Sequence, residues 1–170
     1  MISTQTARKT ILAALMTGAS CAGAFAQGNA AHAFGSGSAS LKHQADSIRS
    51  RFAANGYALV EEIPVTMKSE SELPVIVNMK QGDWYQVVFI GDKRSKSSEI
   101  SMYDYDERQV VYKKNVANKD GNIITYSFVP RDSEYHLIRP VQYTGNHKRT
   151  LNGWFMLLQK SGNAAAAASE

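Results

Sequence analysis

Hydrophobic residues in the first third of the chain recur at a helical period. Four of them follow one another at spacings of four, three and four, which places them on one helical face. They are Leu41, Ala45, Ile48 and Phe52. The residues between them are polar, and Asn55-Gly56 supplies a stop. The pattern predicts an amphipathic helix over residues 41–54, packed on its own domain or on a partner.

After Gly56 the period changes from helical to two. Eight segments rich in Val, Ile, Tyr and Phe alternate apolar with polar residues, and turns containing Gly, Asp or Asn separate them. The predicted strands are 57–66, 73–79, 84–90, 99–105, 109–113, 123–129, 134–141 and 153–159. This spacing predicts an all-β fold, an antiparallel β-sandwich or jelly roll of seven or eight strands preceded by one N-terminal amphipathic helix.

The same alternation predicts which strand residues face the core. Nine are expected to point inward between two sheets: Tyr85, Val87, Phe89, Ile100, Met102, Tyr126, Phe128, Tyr135 and Leu137. His136 lies between two of them in the sequence and is therefore expected to face solvent.

The first 26 residues have the form of a secretory signal peptide. Arg8 and Lys9 precede an apolar run over residues 11–26 that ends in Ala24-Phe25-Ala26, a small-x-small cleavage site. The run is short for crossing the ~30 Å hydrocarbon core of a bilayer. We therefore expect cleavage after Ala26 and no transmembrane segment in the mature chain, the alternative being a retained anchor.

Cleavage at this point changes both the cysteine count and the charge. Cys21 is the only cysteine, so the mature chain would have no thiol, disulfide or Cys-based metal site. The rival interpretation, lipidation of Cys21, lacks the Leu usual three residues before the cysteine. Removing two cations leaves 17 Lys+Arg of the original 19 against 15 Asp+Glu, a net charge of +2. Charge therefore indicates no nucleic-acid partner.

Composition divides the rest of the chain. Residues 27–40 are mostly Gly, Ala and Ser with almost no charge, which predicts a flexible linker, and residues 161–170 predict a disordered tail. The predicted organisation is a signal peptide over 1–26, a linker over 27–40, a β-sandwich domain with its N-terminal helix over 41–160, and the tail.

Asp104, Asp106 and Glu107 form a carboxylate cluster between two predicted strands. The connection has a length suited to a β-hairpin, and Asp is favoured there because its side chain caps backbone amides. As a twelve-residue calcium loop it fails, because Gln109 stands where Gly is needed and Asn115 where a bidentate Glu is needed. We interpret the cluster as a turn.

A weaker calcium site stays open as an alternative. It would combine Asp92, Asp104 and Asp106, provided that the turn holding Asp92 lies at the same end of the sandwich. No other cofactor is predicted. Ser133 and His136 are close in sequence, but no third group orients them as a nucleophile and base.

Four aromatic residues fall on the less regular faces of their predicted strands: Trp84, Tyr103, Tyr105 and Trp154. Aromatic rings on a sandwich face can stack on sugars, so these four are candidates for a ligand platform. The alternative is that they complete or cover the core.

Three segments carry a resemblance to a known family: VNMKQGDWYQVVFIGD, ISMYDYDERQVV and YSFVPRDSEYHLI, within residues 73–159. They resemble the bacterial pre-peptidase C-terminal domain. The matching positions are Gly82, Tyr85, Ile100, Met102, Tyr103, Asp104, Phe128, Pro130, Ser133 and Tyr135. Glu134 departs from the pattern, since the family usually has Gly there. The resemblance implies a secreted β-sandwich without catalytic residues of its own.

These observations predict an exported, periplasmic or secreted, non-catalytic binding or structural module of the bacterial cell envelope. Its expected partner is another envelope or secreted protein or a surface polymer, contacted through a sheet face or the helix. A carbohydrate-binding module is the alternative, and a small secreted hydrolase is a further one.

The first prediction concerns processing. We expect the exported chain to begin at Gln27 and to carry no lipid, because a short apolar run ends in a cleavable small-x-small site. Intact-mass measurement of the exported protein checks this. A mass that retains Cys21 together with acyl chains would contradict it.

Overall fold

The computed structural model describes residues 36–161, so the predicted signal peptide, most of the linker and nearly all of the tail lie outside the described residues. The helices are α1 (Ser36–Ala53) and the short α2 (Ala117–Asp120). The strands are β1 (Tyr57–Lys68), β2 (Val75–Met79), β3 (Tyr85–Ile90), β4 (Ser97–Tyr103), β5 (Gln109–Val116), β6 (Ile123–Phe128), β7 (Glu134–Tyr143) and β8 (Thr150–Lys160).

The strands form two antiparallel sheets of four. The first sheet has the order β1-β8-β3-β6 and the second has the order β2-β7-β4-β5. The predicted all-β sandwich preceded by a helix is confirmed, and each predicted strand is present with bounds shifted by a few residues. β1 pairs with β8 along its whole length, from Tyr57 opposite Lys160 to Lys68 opposite Thr150.

Helix α1 begins earlier than predicted. Residues 36–40, which composition assigned to the flexible linker, form its first turns. Ser and Gly have weak intrinsic helix propensity, but tertiary packing overrides propensity once the following residues are anchored. Leu41, Ala45 and Ile48 provide that anchor because all three are buried.

The core between the sheets contains most of the residues expected there. Six of the nine predicted inward residues are buried: Tyr85, Val87, Phe89, Ile100, Met102 and Tyr126. Phe128 is partly buried and packs against the same cluster.

Strand β7 has the opposite orientation to the one predicted. His136 is 2% exposed and faces the core, whereas Tyr135 is 59% exposed and Leu137 half-buried on the outer face. Pairing fixes this orientation, because Ile138 lies opposite Met102 and even-numbered residues of β7 must share its inward side. The expectation that Tyr135 and Leu137 point inward and His136 outward is therefore wrong.

The first sheet is buried on both faces at its centre. All six residues of β3 are buried, and so are most of those in β8. Their second face packs under α1, in a cluster that contains Val88, Ile90, Trp154, Met156 and Leu158. Of the two alternatives for the apolar face of the helix, packing on its own domain is therefore the one observed within residues 36–161.

Polar contacts at Glu62 of β1 fix the position of the helix. Its carboxylate accepts hydrogen bonds from Trp154 Nε1 at 2.7 Å and from an Arg49 guanidinium nitrogen of α1 at 3.0 Å. Partial burial of a carboxylate costs free energy unless hydrogen bonds compensate for the lost water, and the two donors provide that compensation here. Glu62 therefore links α1, the edge strand β1 and the central strand β8 through hydrogen bonds.

The second prediction concerns the core. Phe89 is fully buried, so Phe89→Ala should lower the free energy of unfolding by about 3–5 kcal/mol, as aromatic truncations in cores do. Tyr135→Ala removes an exposed ring and should change it by no more than about 0.5 kcal/mol. Urea unfolding followed by circular dichroism measures both. Equal losses would contradict the inward and outward assignments of these two rings.

Candidate functional site

The four aromatic residues singled out in the sequence do not form one platform. Trp154 is 9% exposed beneath α1 and lies opposite Ile90, at one end of β3, whereas Trp84 precedes the other end of that strand. Tyr103 lies on the outer face of the second sheet, and Tyr105 is in the turn between β4 and β5. The candidate ligand platform is therefore not assembled, and Trp154 is a core residue.

The carboxylate cluster forms the predicted hairpin turn. Asp104 N donates to Arg108 O at 3.0 Å, and Glu107 adopts the left-handed backbone conformation with φ 60°. The Asp104 carboxylate accepts hydrogen bonds from Arg108 N at 2.9 Å and Arg108 Nε at 2.8 Å. Desolvation raises the pKa of Asp104, but the hydrogen bonds from Arg108 outweigh it, so this pKa lies below its ordinary value.

Asp92 does not join this cluster. It precedes β4 and Asp104 follows it, so the two lie at opposite ends of a seven-residue strand, roughly 20 Å apart. Asp92 instead accepts hydrogen bonds from Arg94 Nε at 2.8 Å and from Asn152 N at 3.0 Å. The condition for a site combining Asp92, Asp104 and Asp106 is not met. Among residues 36–161, no three His, Asp or Glu side chains are grouped to hold a metal ion.

A different site lies at the Asp104 end of the sandwich. There the β4–β5 turn and the β6–β7 loop enclose a cleft of about 400 Å³, which we call the end cleft. The side chains that define it are Asp104, Arg108, Phe128, Arg131, Glu134 and His136. They come together because β4 pairs with β7, a neighbour distant in sequence.

His136 forms a buried wall of the end cleft. Its Nε2 lies 3.5 Å from Glu134 Oε1, and its ring meets Phe128 edge to face with centroids 5.2 Å apart. Its Nδ1 has no hydrogen-bond partner among the described residues. Burial lowers the pKa of His136, and the opposing effects of Glu134 and Asp104 do not compensate. The imidazole is therefore neutral at neutral pH.

A second surface feature is the outer face of the second sheet. We call it the tyrosine face, and its residues are Ile76, Tyr103, Tyr112, Tyr135, Leu137 and Arg139. Leu137 lies opposite both Ile76 and Tyr103, and the Arg139 guanidinium stacks 4.9 Å from the centre of the Tyr103 ring. These residues are therefore neighbours across all four strands.

Much of the tyrosine face is open to solvent. Ile76 is 65%, Tyr135 59% and Tyr112 50% exposed. The charges beside it are paired, since Lys114 Nζ lies 2.7 Å from Glu99 Oε1 and Arg139 lies 3.3 Å from Glu72. Sequence reasoning missed this face because it predicted the wrong orientation for β7. In that prediction Tyr135 and Leu137 pointed into the core.

Comparison with known proteins gives distant similarities in fold. No family model and no curated protein matches the sequence. The Aeromonas hydrophila protein PliG, a periplasmic inhibitor of g-type lysozyme, is 10% identical, with 61% of this chain and 86% of that chain covered and a TM-score of 0.44. Bacillus endospore appendages, which form disulfide-linked pili, are 10% identical over 62% of this chain and 89% of theirs, with a TM-score of 0.38.

A third similar structure contains the CBM22-1 and GH10 modules of a Clostridium thermocellum endo-1,4-β-D-xylanase in complex with xylohexaose. It is 11% identical, with 68% of this chain and 28% of that chain covered and a TM-score of 0.33. Of the helices in the described part of the protein, none has the length and apolar character needed to cross a membrane.

The third prediction concerns pH. Because burial lowers the pKa of His136, the unfolded chain takes up a proton below the ordinary value of 6.5 while the folded chain does not. The free energy of unfolding should therefore fall as the pH drops from 6.5 towards the folded pKa. Asp104 and Asp92, whose pKa values are lowered, should lose their stabilisation only below about pH 4.

Urea unfolding across this pH range measures the effect, with His136→Asn as the comparison. The variant should lack the slope that begins at pH 6.5, whatever its stability at neutral pH. The same slope in both proteins would show that another group causes it.

Proposed function

We propose that this protein is a non-catalytic binding module that contacts a protein partner through the tyrosine face. The observation that carries the proposal is the unequal covering of the two sheets. Helix α1 buries the centre of the outer face of the first sheet, whereas no element of residues 36–161 covers the outer face of the second sheet, where Ile76, Tyr112 and Tyr135 are exposed. A contiguous exposed apolar surface of this kind is typical of an interaction site.

The composition of the tyrosine face favours a protein over other partners. Tyr and Arg are enriched where binding energy concentrates in protein interfaces, while Lys and Glu are depleted there. This face presents three tyrosines and one arginine, and the Arg139 guanidinium is already stacked on Tyr103. Tyrosines held on strands lose little conformational freedom on binding. The neighbouring Lys114–Glu99 and Arg139–Glu72 pairs leave little unbalanced charge.

The location and the non-catalytic role are parts of the same proposal. The signal-peptide pattern of residues 1–26 supports an exported protein whose partner is in the envelope or outside the cell. Ser133, the serine nearest in sequence to His136, accepts a hydrogen bond from Gln81 N at 2.9 Å and so holds a loop in place. Its engagement there supports binding rather than nucleophilic catalysis.

The fourth prediction tests the tyrosine face in the native cell. A photo-crosslinking amino acid at position 112 or 135 should yield one adduct of defined mass, because both side chains are exposed at the proposed interface. Position 105 is the control, since Tyr105 is 74% exposed but lies in the β4–β5 turn. Mass spectrometry of the adduct then identifies the partner.

Purified partner and protein allow the affinity to be measured. Tyr112→Ala and Tyr135→Ala should each weaken binding by about 2 kcal/mol if these rings are central contacts, and Tyr105→Ala should leave it unchanged. Adducts from position 105 alone would place the interface elsewhere. Binding to a glycan array that is lost in Tyr135→Ala would show that the partner is a surface polymer instead.

A further inference from the structure

The end cleft has the size and the rigidity of a small-ligand site. Its volume of about 400 Å³ is within the range of roughly 300–1,000 Å³ that ligand pockets occupy. One wall is the β4–β5 turn, which the Asp104–Arg108 pair fixes. The opposite wall is the β6–β7 loop, fastened by the hydrogen bond from Gly82 N to Pro130 O at 3.1 Å. Walls fixed in advance lower the entropic cost of binding.

Several polar groups in the end cleft have unused hydrogen-bonding capacity. Among the ion pairs of residues 36–161, Glu134 is paired only with His136, at the 3.5 Å separation given above, and Arg131 is in none. His136 is 98% buried, yet its Nδ1 has no partner in that same part of the chain. Buried polar groups are nearly always paired, so an unpaired one at the wall of a cavity points to a ligand or solvent group.

The charges of the end cleft are mixed rather than of one sign. Asp104, Asp132 and Glu134 carry negative charge, Arg108 and Arg131 carry positive charge, and His136 is neutral. An anion would meet three carboxylates, and a cation would meet two guanidinium groups. A ligand without net charge avoids both repulsions, and hydroxyl groups can donate to the carboxylates while accepting from the guanidinium groups.

We infer that the end cleft binds the hydroxyl groups of a neutral sugar ring. Glu134 accepts from ring hydroxyls, Arg131 and Arg108 donate to them, and His136 provides a further polar group at the inner wall. Phe128, with Val110 and Val129 beside it in the cleft, presents an apolar surface to the C–H face of the ring. The site is separate from the tyrosine face, so a sugar and a protein partner can be bound independently.

The fifth prediction tests this by nuclear magnetic resonance on the full mature chain labelled with ¹⁵N. The probes are the methyl pyranosides of glucose, galactose and mannose and their soluble oligosaccharides, with glucuronate and glucosamine as charged counterparts. At millimolar concentration, at least one neutral sugar should shift the amide signals of the β4–β5 turn and the β6–β7 loop. Tighter binding of the oligosaccharide than of the single ring would identify a polymer as the source.

Variants locate the site. Glu134→Gln should weaken sugar binding about tenfold or more, because a charged acceptor is lost. Arg131→Gln changes only an exposed loop residue and should also weaken binding without affecting folding. Glu61→Gln, on β1 of the other sheet, is the matched control and should leave binding unchanged.

Three results would overturn the inference: no shift with any neutral sugar, binding of the charged sugars alone, or shifts confined to the tyrosine face. Tyr112→Ala separates this test from that of the proposed function, since it should weaken partner binding and reduce crosslinking from position 135 while leaving sugar binding intact. Loss of both activities in Tyr112→Ala would mean that the two ligands share one surface.

Discussion

The packing of helix α1 on the first sheet is the interaction on which the rest of the structure depends. It requires β3 and β8 to be apolar on both faces, and they are buried almost continuously. The opposite face of the same sheet is packed just as closely against the core between the sheets, because a Cβ on Gly153 would lie 2.9 Å from Val65 Cγ2 and 3.0 Å from the Phe89 ring. Within residues 36–161 the helix covers the centre of one outer sheet surface, whereas the outer surface of the second sheet stays open to solvent.

The two candidate surfaces follow from the second sheet. Strand β7 contributes to both, because its outward residues Tyr135, Leu137 and Arg139 belong to the tyrosine face while its inward residues Glu134 and His136 line the end cleft. The two surfaces therefore share one strand, although no side chain belongs to both. The Arg108–Asp104 pair, in the turn that follows β4, forms the facing wall of the cleft.

Sequence alone could predict much of the fold but little of the candidate site. The turn residues and the period of two were sufficient for all eight strands, and the Asp104 turn follows from local hydrogen bonding. The orientation of β7 was missed because Tyr135 and Leu137 are more apolar than His136, although Arg139 continues the same outward series. The end cleft could not be predicted, because it depends on the pairing of β4 with β7, which no local pattern specifies.

The pairing of β1 with β8 has a consequence for how the domain can form. The first strand of the sandwich finds its hydrogen-bonding partner in the last, and α1 finds its apolar platform partly on that same last strand. During synthesis, Leu41, Ile48 and β1 thus emerge long before the surface that buries them. Contacts so distant in sequence slow folding and leave intermediates prone to association. The first sheet can form only after β8 has been synthesised. A chain shortened before β8 would lack a central strand of that sheet, the one between β1 and β3, rather than an edge strand.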